Sequence, residues 1–205
     1  MTCMARIDLP EMPPAIPRRG WRVGRALGRL VLAIARWGFE GQVPNLSKGV
    51  IIVAPHTSNW DFVIGVAAML ALDLELRFLG KHTLFDGPLA PMMRGLGGIP
   101  VDRAHPGRGI VEGLAARFQT EEKLLLALSP EGTRSSVDRW KSGFHRIARA
   151  AGVPIMAIAL DYGPRRVRFG PVVTPTDDFD RDVANFLEFF ATARGRRENL
   201  NSSQP

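Results

Sequence analysis

The chain has 205 residues, of which 45% are hydrophobic and 23% are charged. This composition is typical of a folded globular protein, and the length suits one domain with a sizeable core. The only cysteine is Cys3, which excludes a disulfide framework and fits a location on the cytosolic side. The formal net charge of +7 predicts anionic partners, such as phosphate groups, anionic lipid, acidic protein or nucleic acid.

The first 40 residues are predicted to form an arm followed by an amphipathic helix. Residues 1–20 contain four prolines and mixed charge, which predicts a disordered arm, and they lack the early apolar segment of a signal peptide. Residues 18–39 repeat with a helical period. One face of this helix carries Arg18, Arg22, Arg25, Arg29 and Arg36. Another face carries Val23, Leu27, Leu30, Ile34 and Trp37.

Two interpretations of this helix remain open. Its longest uninterrupted apolar run, residues 30–35, is too short to span a bilayer. A basic amphipathic helix with Trp21, Trp37 and Phe39 near its ends is typical of a helix that lies on an anionic membrane. We then expect a peripheral protein on the cytoplasmic side of the membrane. The alternative is an ordinary surface helix packed on the domain.

Residues 41–194 are predicted to form the main domain, followed by a polar tail at 195–205. Strands are predicted at residues 50–53, 74–79, 123–128, 153–160 and 165–173, with a short extended segment at 99–103. Helices are predicted at residues 60–72, 83–94 (interrupted by Gly87-Pro88), 109–120, 139–151 and 179–190. Strands that alternate with helices predict an α/β fold. We expect a single domain with a central, mainly parallel sheet flanked by helices and preceded by the N-terminal amphipathic helix.

A histidine and an aspartate lie five positions apart at the end of the first long strand. The run Val50–Val53 is apolar and β-branched, and Pro55 ends it because proline cannot donate to a sheet ladder. His56 therefore lies at the carboxyl end of a strand, and Asp61 lies in the first turn of the next helix. An imidazole that is oriented by a carboxylate is a general base. By itself, this spacing also fits an incidental histidine beside a helix-capping aspartate.

A polar loop at residues 129–135 follows a later strand. Gly132 allows close approach of the backbone to a ligand, and Arg134 offers a forked donor for a phosphate. Glu131 can accept from a hydroxyl group or pair with that arginine. Lys141 adds a cation at the start of the following helix. Because ligands collect at the carboxyl ends of strands in such sheets, we expect this loop and His56 to meet, although a turn with a surface ion pair would look similar.

Four blocks of the chain together resemble the 1-acylglycerol-3-phosphate acyltransferase family of lysophospholipid and glycerolipid acyltransferases. His56–Asp61 resembles the family's His-x4-Asp motif, and Gly98–Arg103 resembles the second block, which ends in an arginine. Pro130–Ser135 resembles the Glu-Gly-Thr-Arg block, and Val153–Ile155 resembles the fourth. The blocks occur in the family's order across residues 50–160, and the ordered set is far more specific than any single block.

The resemblance implies acyl transfer from a thioester to a glycerolipid hydroxyl without a covalent enzyme intermediate. His56 would be the base and Asp61 would orient it. The residues implied to bind substrate are Arg103, Glu131, Gly132, Thr133, Arg134 and Lys141. The co-substrate would be acyl-CoA or acyl carrier protein, and no cofactor or metal is implied. The expected partners are this donor, a lysophospholipid and an anionic membrane surface, without nucleic acid.

Other functions have weaker signals in the residues. Pro100 and Asp102 depart from the second block's usual residues, so a different acceptor, such as lyso-ornithine lipid, is the main alternative. A serine hydrolase using Ser58, Ser129 or Ser135 would lack the Gly-x-Ser-x-Gly elbow. A zinc site at His56, His82 and His105 would lack ligand spacing. A nucleic-acid-binding protein would need a platform of stacking aromatics, whereas the aromatics here follow helical apolar faces.

Overall fold

The computed structural model of the protein describes residues 7–101, 109–131 and 140–196. Across these ranges seven strands form one sheet: β1 (Gly38–Glu40), β2 (Lys48–Ala54), β3 (Arg77–Lys81), β4 (Gly98–Val101), β5 (Leu124–Leu128), β6 (Ile155–Asp161) and β7 (Arg166–Val173). The helices in the same ranges are α1 (Arg22–Ala35), α2 (Asn59–Ala71), α3 (Ala90–Gly95), α4 (Ile110–Thr120), α5 (Gly143–Ala151) and α6 (Phe179–Ala191), with a 3₁₀ turn at His82–Leu84.

The strand order in the sheet is β1-β7-β6-β2-β5-β3-β4. The five strands from β6 to β4 are mutually parallel. β7 pairs antiparallel to β6, and β1 pairs parallel to β7, so the two strands at one end of the sheet run opposite to the rest. The prediction of an α/β fold with a mainly parallel sheet flanked by helices is confirmed.

Helices cover both faces of the sheet, and the side chains of β2 alternate between them. Ile51 packs in the cluster that contains α1 and α2, whereas Val50 and Ile52 pack in the cluster with α4, α5 and α6. All three side chains are buried. A strand that is covered on both faces reads as a continuous apolar run, which is why the pattern of residues 50–53 predicted a strand without alternation.

Helix α1 is shorter than the predicted 18–39 segment. It ends where Arg36 adopts a left-handed backbone conformation with φ of 58°. The chain then enters β1, which pairs with Arg166–Arg168 of β7. The predicted boundary between residues 40 and 41 is therefore wrong, because β1 belongs to the sheet of the main domain.

Residues 7–20 are packed on the domain, which corrects the expectation of a disordered arm for this segment. Ile16 is buried in the same cluster as α1 and α2. The backbone of Arg19 donates to Asp73 O at 3.0 Å, and that of Glu75 donates to Pro17 O at 2.9 Å. Prolines favour an extended chain, and here that extended chain forms a short bridge with the segment that follows α2.

Candidate active site

The carboxyl ends of β2, β5, β3 and β6 lie at one edge of the sheet because these strands are parallel. His56 follows β2, and Glu131 follows β5. Lys81 is the last residue of β3, and Tyr162 is the first residue after β6. The topology therefore gathers four polar side chains, from segments far apart in the chain, along the edge where such sheets bind ligands.

Asp61 is fixed by the way helix α2 begins. Ser58 is the N-cap residue, and its Oγ accepts from the backbone N–H of Trp60 at 3.2 Å. The Asp61 carboxylate in turn reaches back over the cap, where Oδ2 accepts from the backbone N–H groups of Thr57 and Ser58, each at 2.6 Å. Such reciprocal capping satisfies donors that a helix start would otherwise leave unpaired. It also holds a carboxylate, in a residue only 2% exposed, next to His56.

The structure brings the predicted pair together. Nδ1 of His56 lies 3.6 Å from Oδ2 of Asp61, which is an ion-pair distance but too long for a hydrogen bond. The His56 side chain is 18% exposed, whereas that of Asp61 is fully buried. Nδ1 therefore faces a buried anion while part of the ring remains open to solvent. Catalytic hydrogen bonds are often long in unliganded enzymes and shorten when substrate binds.

Glu131 contacts the backbone of His56. Its two carboxylate oxygens accept from the His56 N–H at 3.1 and 3.3 Å, and the residue is 2% exposed. This contact joins the loop after β5 to the loop after β2. The predicted role of Glu131 in substrate binding stays a prediction, since the contact seen here is with the protein itself.

Tyr162 is a site residue that the sequence analysis missed. Its hydroxyl donates to Oδ1 of Asp61 at 2.6 Å, and its ring meets the Trp37 ring edge-on with centroids 4.8 Å apart. Burial raises the pKa of Tyr162 well above its usual range. The hydrogen bond with Asp61 and the negative charge of that carboxylate raise the pKa further, against a smaller opposing effect of Arg196. The available signal was its position two residues after the strand predicted at 153–160.

The remaining predicted binding residues are only partly covered by the structure. Lys141 is exposed, and its backbone N–H donates to Pro130 O at 3.0 Å, so it lies beside the loop that carries Glu131. Arg103, Gly132, Thr133 and Arg134 lie outside the described residues. Lys81 is an exposed cation at the same edge that the sequence analysis did not assign. Among the residues that the structure describes, no group of three His, Cys, Asp or Glu side chains is arranged to bind a metal ion.

Helix α1 approaches α2 closely at Gly28 and leaves most of its large apolar residues exposed. Gly24, Gly28 and Leu32 are buried. At Gly28 an added Cβ would lie 2.5 Å from both Ala67 O and Ala71 N of α2, so the two helices approach closely. The exposed apolar side chains are Trp21, Val23, Leu27, Leu30 and Ile34. No helix in the described part of the chain combines the length and apolar character needed to cross a membrane.

Trp37 and Phe39 do not belong to this exposed face, which corrects the predicted pattern. Trp37 is 5% exposed and contacts Tyr162. Phe39 stacks on Phe169 of β7 with ring centroids 6.3 Å apart. Because α1 ends at Ala35, the helical period does not extend to these two residues.

Comparisons with known proteins agree with this fold. Residues 38–161, more than half of the chain, match a family model described as Acyltransferase. The match begins at the first residue of β1 and ends at the last residue of β6. It therefore includes His56, Asp61 and Glu131, and it stops one residue before Tyr162.

Two individual proteins are similar to the chain. A 1-acyl-sn-glycerol-3-phosphate acyltransferase from Streptococcus pneumoniae is 30% identical over 149 residues, which cover 68% of this chain and 54% of that protein. The chain thus spans about half the length of this relative. The crystal structure of the 1-acyl-sn-glycerophosphate acyltransferase PlsC from Thermotoga maritima aligns with a TM-score of 0.54. That alignment has 16% identity and covers 82% of this chain and 75% of that one, so it bears on the fold alone.

Proposed function

This chain belongs to the acyltransferase family, and from that premise we propose that it transfers a fatty acyl group from a thioester to a free hydroxyl of a lysophospholipid. The proposed acceptor is 1-acylglycerol 3-phosphate, as in the name of the Streptococcus pneumoniae relative. The proposed donor is acyl-CoA or acyl carrier protein. The observation that carries the proposal is the pair of His56 and Asp61, 3.6 Å apart at the ligand-binding edge of the sheet.

His56 would act as the general base. Its Nδ1 faces Asp61, which leaves Nε2 to accept the proton of the acceptor hydroxyl as that oxygen attacks the thioester carbonyl. A C–O bond forms, the C–S bond breaks, and the proton on His56 passes to the departing thiolate. Asp61 would stabilise the imidazolium between these two proton transfers. A protein nucleophile is unnecessary because a thiolate is already a good leaving group.

The acceptor's phosphate would bind to cations at the same edge. The proposed binding residues are Arg103, Arg134 and Lys141, together with Gly132 and Thr133. The exposed side chain of Lys81 at the end of β3 supplies a further cation. Glu131 would act mainly by holding the His56 backbone, since its carboxylate accepts from that N–H in the unliganded protein.

Helix α1 would bring the enzyme to its lipid substrate. Its exposed apolar side chains include Val23 and Ile34, which are 70% and 73% exposed. Arg22 and Arg29 are exposed on the same helix, so apolar and cationic surfaces are both available to an anionic membrane. We expect peripheral attachment at the cytoplasmic side of a membrane.

A thioester-release assay over a panel of lysolipids tests the proposal. Thiol release from acyl-CoA or from acyl carrier protein should depend on added 1-acylglycerol 3-phosphate, and the diacyl product should appear in equal amount. Lyso-ornithine lipid belongs in the panel as the alternative acceptor. His56→Ala is the control, and it should lower turnover at least ~10²-fold while the protein stays folded. Thiol release that no lysolipid stimulates, or that His56→Ala retains, would contradict the proposed function.

A further inference from the structure

The two oxygens of the Asp61 carboxylate have different neighbours. Oδ2 faces His56 and accepts from the backbone N–H groups of Thr57 and Ser58. These donors are backbone N–H groups, so any residue except proline at those positions would supply them. Oδ1 accepts from the hydroxyl of Tyr162 at 2.6 Å. Tyr162 lies 101 positions away in the chain, at the end of a different strand.

Tyr162 is held firmly enough to act as a fixed donor. Its backbone N–H donates to Arg194 O at 2.8 Å, and its ring packs edge-on against the buried ring of Trp37. Arg194 is tied back in turn, because its N–H donates to Asp161 Oδ1 at 3.1 Å. The phenol therefore approaches Asp61 from a rigid strand end. Since burial and Asp61 raise the pKa of Tyr162, it stays a protonated donor near neutral pH.

We propose that Tyr162 is a positioning residue, whose hydroxyl bond to Oδ1 sets the plane of the Asp61 carboxylate so that Oδ2 faces Nδ1 of His56. The inference rests on the proposed function. A carboxylate anchored at one oxygen alone still turns about its Cβ–Cγ bond, and a terminal torsion of this kind is soft. A donor at the second oxygen removes that freedom. It also satisfies a buried acceptor that would otherwise cost free energy.

Tyr162→Phe tests this role because it removes one oxygen and keeps the ring that packs on Trp37. We expect kcat to fall about tenfold, the effect of losing one hydrogen bond to a charged group. The KM values of donor and acceptor should not change, since Tyr162 is proposed to contact neither. Loss of the donor also concentrates charge on Asp61. The acid limb of the pH profile of kcat/KM, which reports His56, should therefore move to higher pH.

Several charged and titratable groups surround this site in the described part of the chain, and Lys81 and Lys141 lie at or beside the same edge of the sheet. Asp61 lies beside His56, and Glu131 meets the His56 backbone from the loop after β5. Arg196, from the segment after α6, acts on Tyr162 and lies over the Trp60 ring at 5.0 Å. Arg196→Ala is the matched control. It removes a neighbouring charge but no bond to Asp61, and it should leave kcat close to that of the wild type.

A second measurement does not depend on activity. Tyr162 is the only tyrosine in the chain, so absorbance at alkaline pH reports this phenol alone. In the wild type the phenol should ionise only at strongly alkaline pH, and Asp61→Asn should move its pKa down. Uniform labelling with 3-fluorotyrosine changes this one site without altering its packing. The more acidic phenol should shift the acid limb of the pH profile to lower pH, opposite to Tyr162→Phe.

The outcomes separate the two proposals. If folded Tyr162→Phe keeps the wild-type kcat and pH profile, or if the wild-type phenol titrates at its ordinary pH, Tyr162 only packs. If Tyr162→Phe does not fold, the fluorotyrosine protein decides, and an unshifted pH profile overturns the proposal. If the wild type shows no lysolipid-dependent acyl transfer, the proposed function and the role of Tyr162 in it both fail, whatever the titration shows.

Discussion

His145 and Asp182 form a tighter pair than His56 and Asp61, with Nε2 of His145 2.8 Å from Oδ2 of Asp182. Both side chains are buried, and they join α5 to α6. Asp182 also accepts from the backbone N–H and the hydroxyl of Thr176, at 2.5 and 3.0 Å. We therefore interpret the buried His145–Asp182 pair as a structural link between the two helices. In the His56–Asp61 pair, by contrast, the histidine side chain is 18% exposed to solvent.

The same Asp→Asn substitution should therefore lower kcat in one pair and lower the free energy of unfolding in the other. Asp61→Asn should lower kcat at least ~10²-fold, because the ring loses its charged orienter. Asp182→Asn should leave kcat unchanged but lower the free energy of unfolding by about 1–3 kcal/mol, because a buried charged acceptor is lost. Steady-state kinetics and denaturant unfolding of both variants make the comparison. A large loss of kcat in stable Asp182→Asn would place the tighter pair in the mechanism instead.

The ionisation of Asp182 should contribute to the pH dependence of the free energy of unfolding. Burial raises its pKa, but the hydrogen bonds from Thr176 and His145 and the charge of His145 outweigh burial and lower it below its usual 3.8. A carboxyl group whose pKa is lower in the folded state stabilises the fold above its unfolded pKa, and this contribution is lost as the pH falls through the folded pKa. The stability difference between wild type and Asp182→Asn should thus be full at pH 7 and shrink in acid below pH 3.8. A difference that stays constant to lower pH would show that the charge of Asp182 is not involved.

Glu131→Gln tests whether Glu131 holds the backbone of His56 or binds substrate. The carboxylate accepts from the His56 N–H, and an amide presents only one oxygen, without the charge. If Glu131 holds His56, kcat should fall about tenfold, the cost of one charge-assisted hydrogen bond, with the acceptor KM unchanged. A raised acceptor KM at normal kcat would instead support the substrate-binding role that the resemblance implied.

Charge reversal of α1 tests the membrane proposal. Replacing Arg22, Arg25 and Arg29 with Glu should release the protein from anionic vesicles at low salt, since each basic residue near such a surface contributes about 1 kcal/mol. Activity on detergent-dispersed lysolipid should remain. The matched control reverses three arginines on the other face of the sheet and changes net charge equally: Arg146, Arg149 and Arg181. Equal sedimentation of the α1 variant and the control with vesicles would show that α1 is only packing surface.

Glycine-to-alanine substitutions test the close contact between α1 and α2. At Gly28 the new Cβ would lie 2.5 Å from backbone atoms of α2, so overpacking of about 1–3 kcal/mol should exceed the gain of about 1 kcal/mol in helix propensity. At Gly113, in the exposed face of α4, no atom lies within 4 Å of the new Cβ. Gly113→Ala should therefore stabilise the protein. Thermal unfolding of both variants checks the signs, and a stabilised Gly28→Ala would contradict the close packing.

The sequence by itself determined the features that depend on near neighbours in the chain. His56 and Asp61 lie within one strand-turn-helix junction. Pro55 ends the strand there, and helix capping directs the Asp61 carboxylate toward the backbone N–H groups that precede the helix. The mainly parallel sheet was predicted from apolar strand segments that alternate with helical segments along the chain. Strands buried on both faces appear in the sequence as continuous apolar runs. In α1 the helical period separated arginines from large apolar residues, but it did not reveal which surface packs on the domain.

Only the tertiary structure decided the relationships between distant segments. Helix α1 approaches α2 closely at Gly28, where an added Cβ would meet the α2 backbone, and it buries Leu32 while most of its larger apolar side chains stay exposed. Trp37 left the predicted helical face because α1 ends before it. Tyr162 meets Asp61 only because β6 and β2 are adjacent and parallel, which brings both of their carboxyl ends to one edge. No local pattern encodes that hydrogen bond, since strand order is set by packing across the whole sheet.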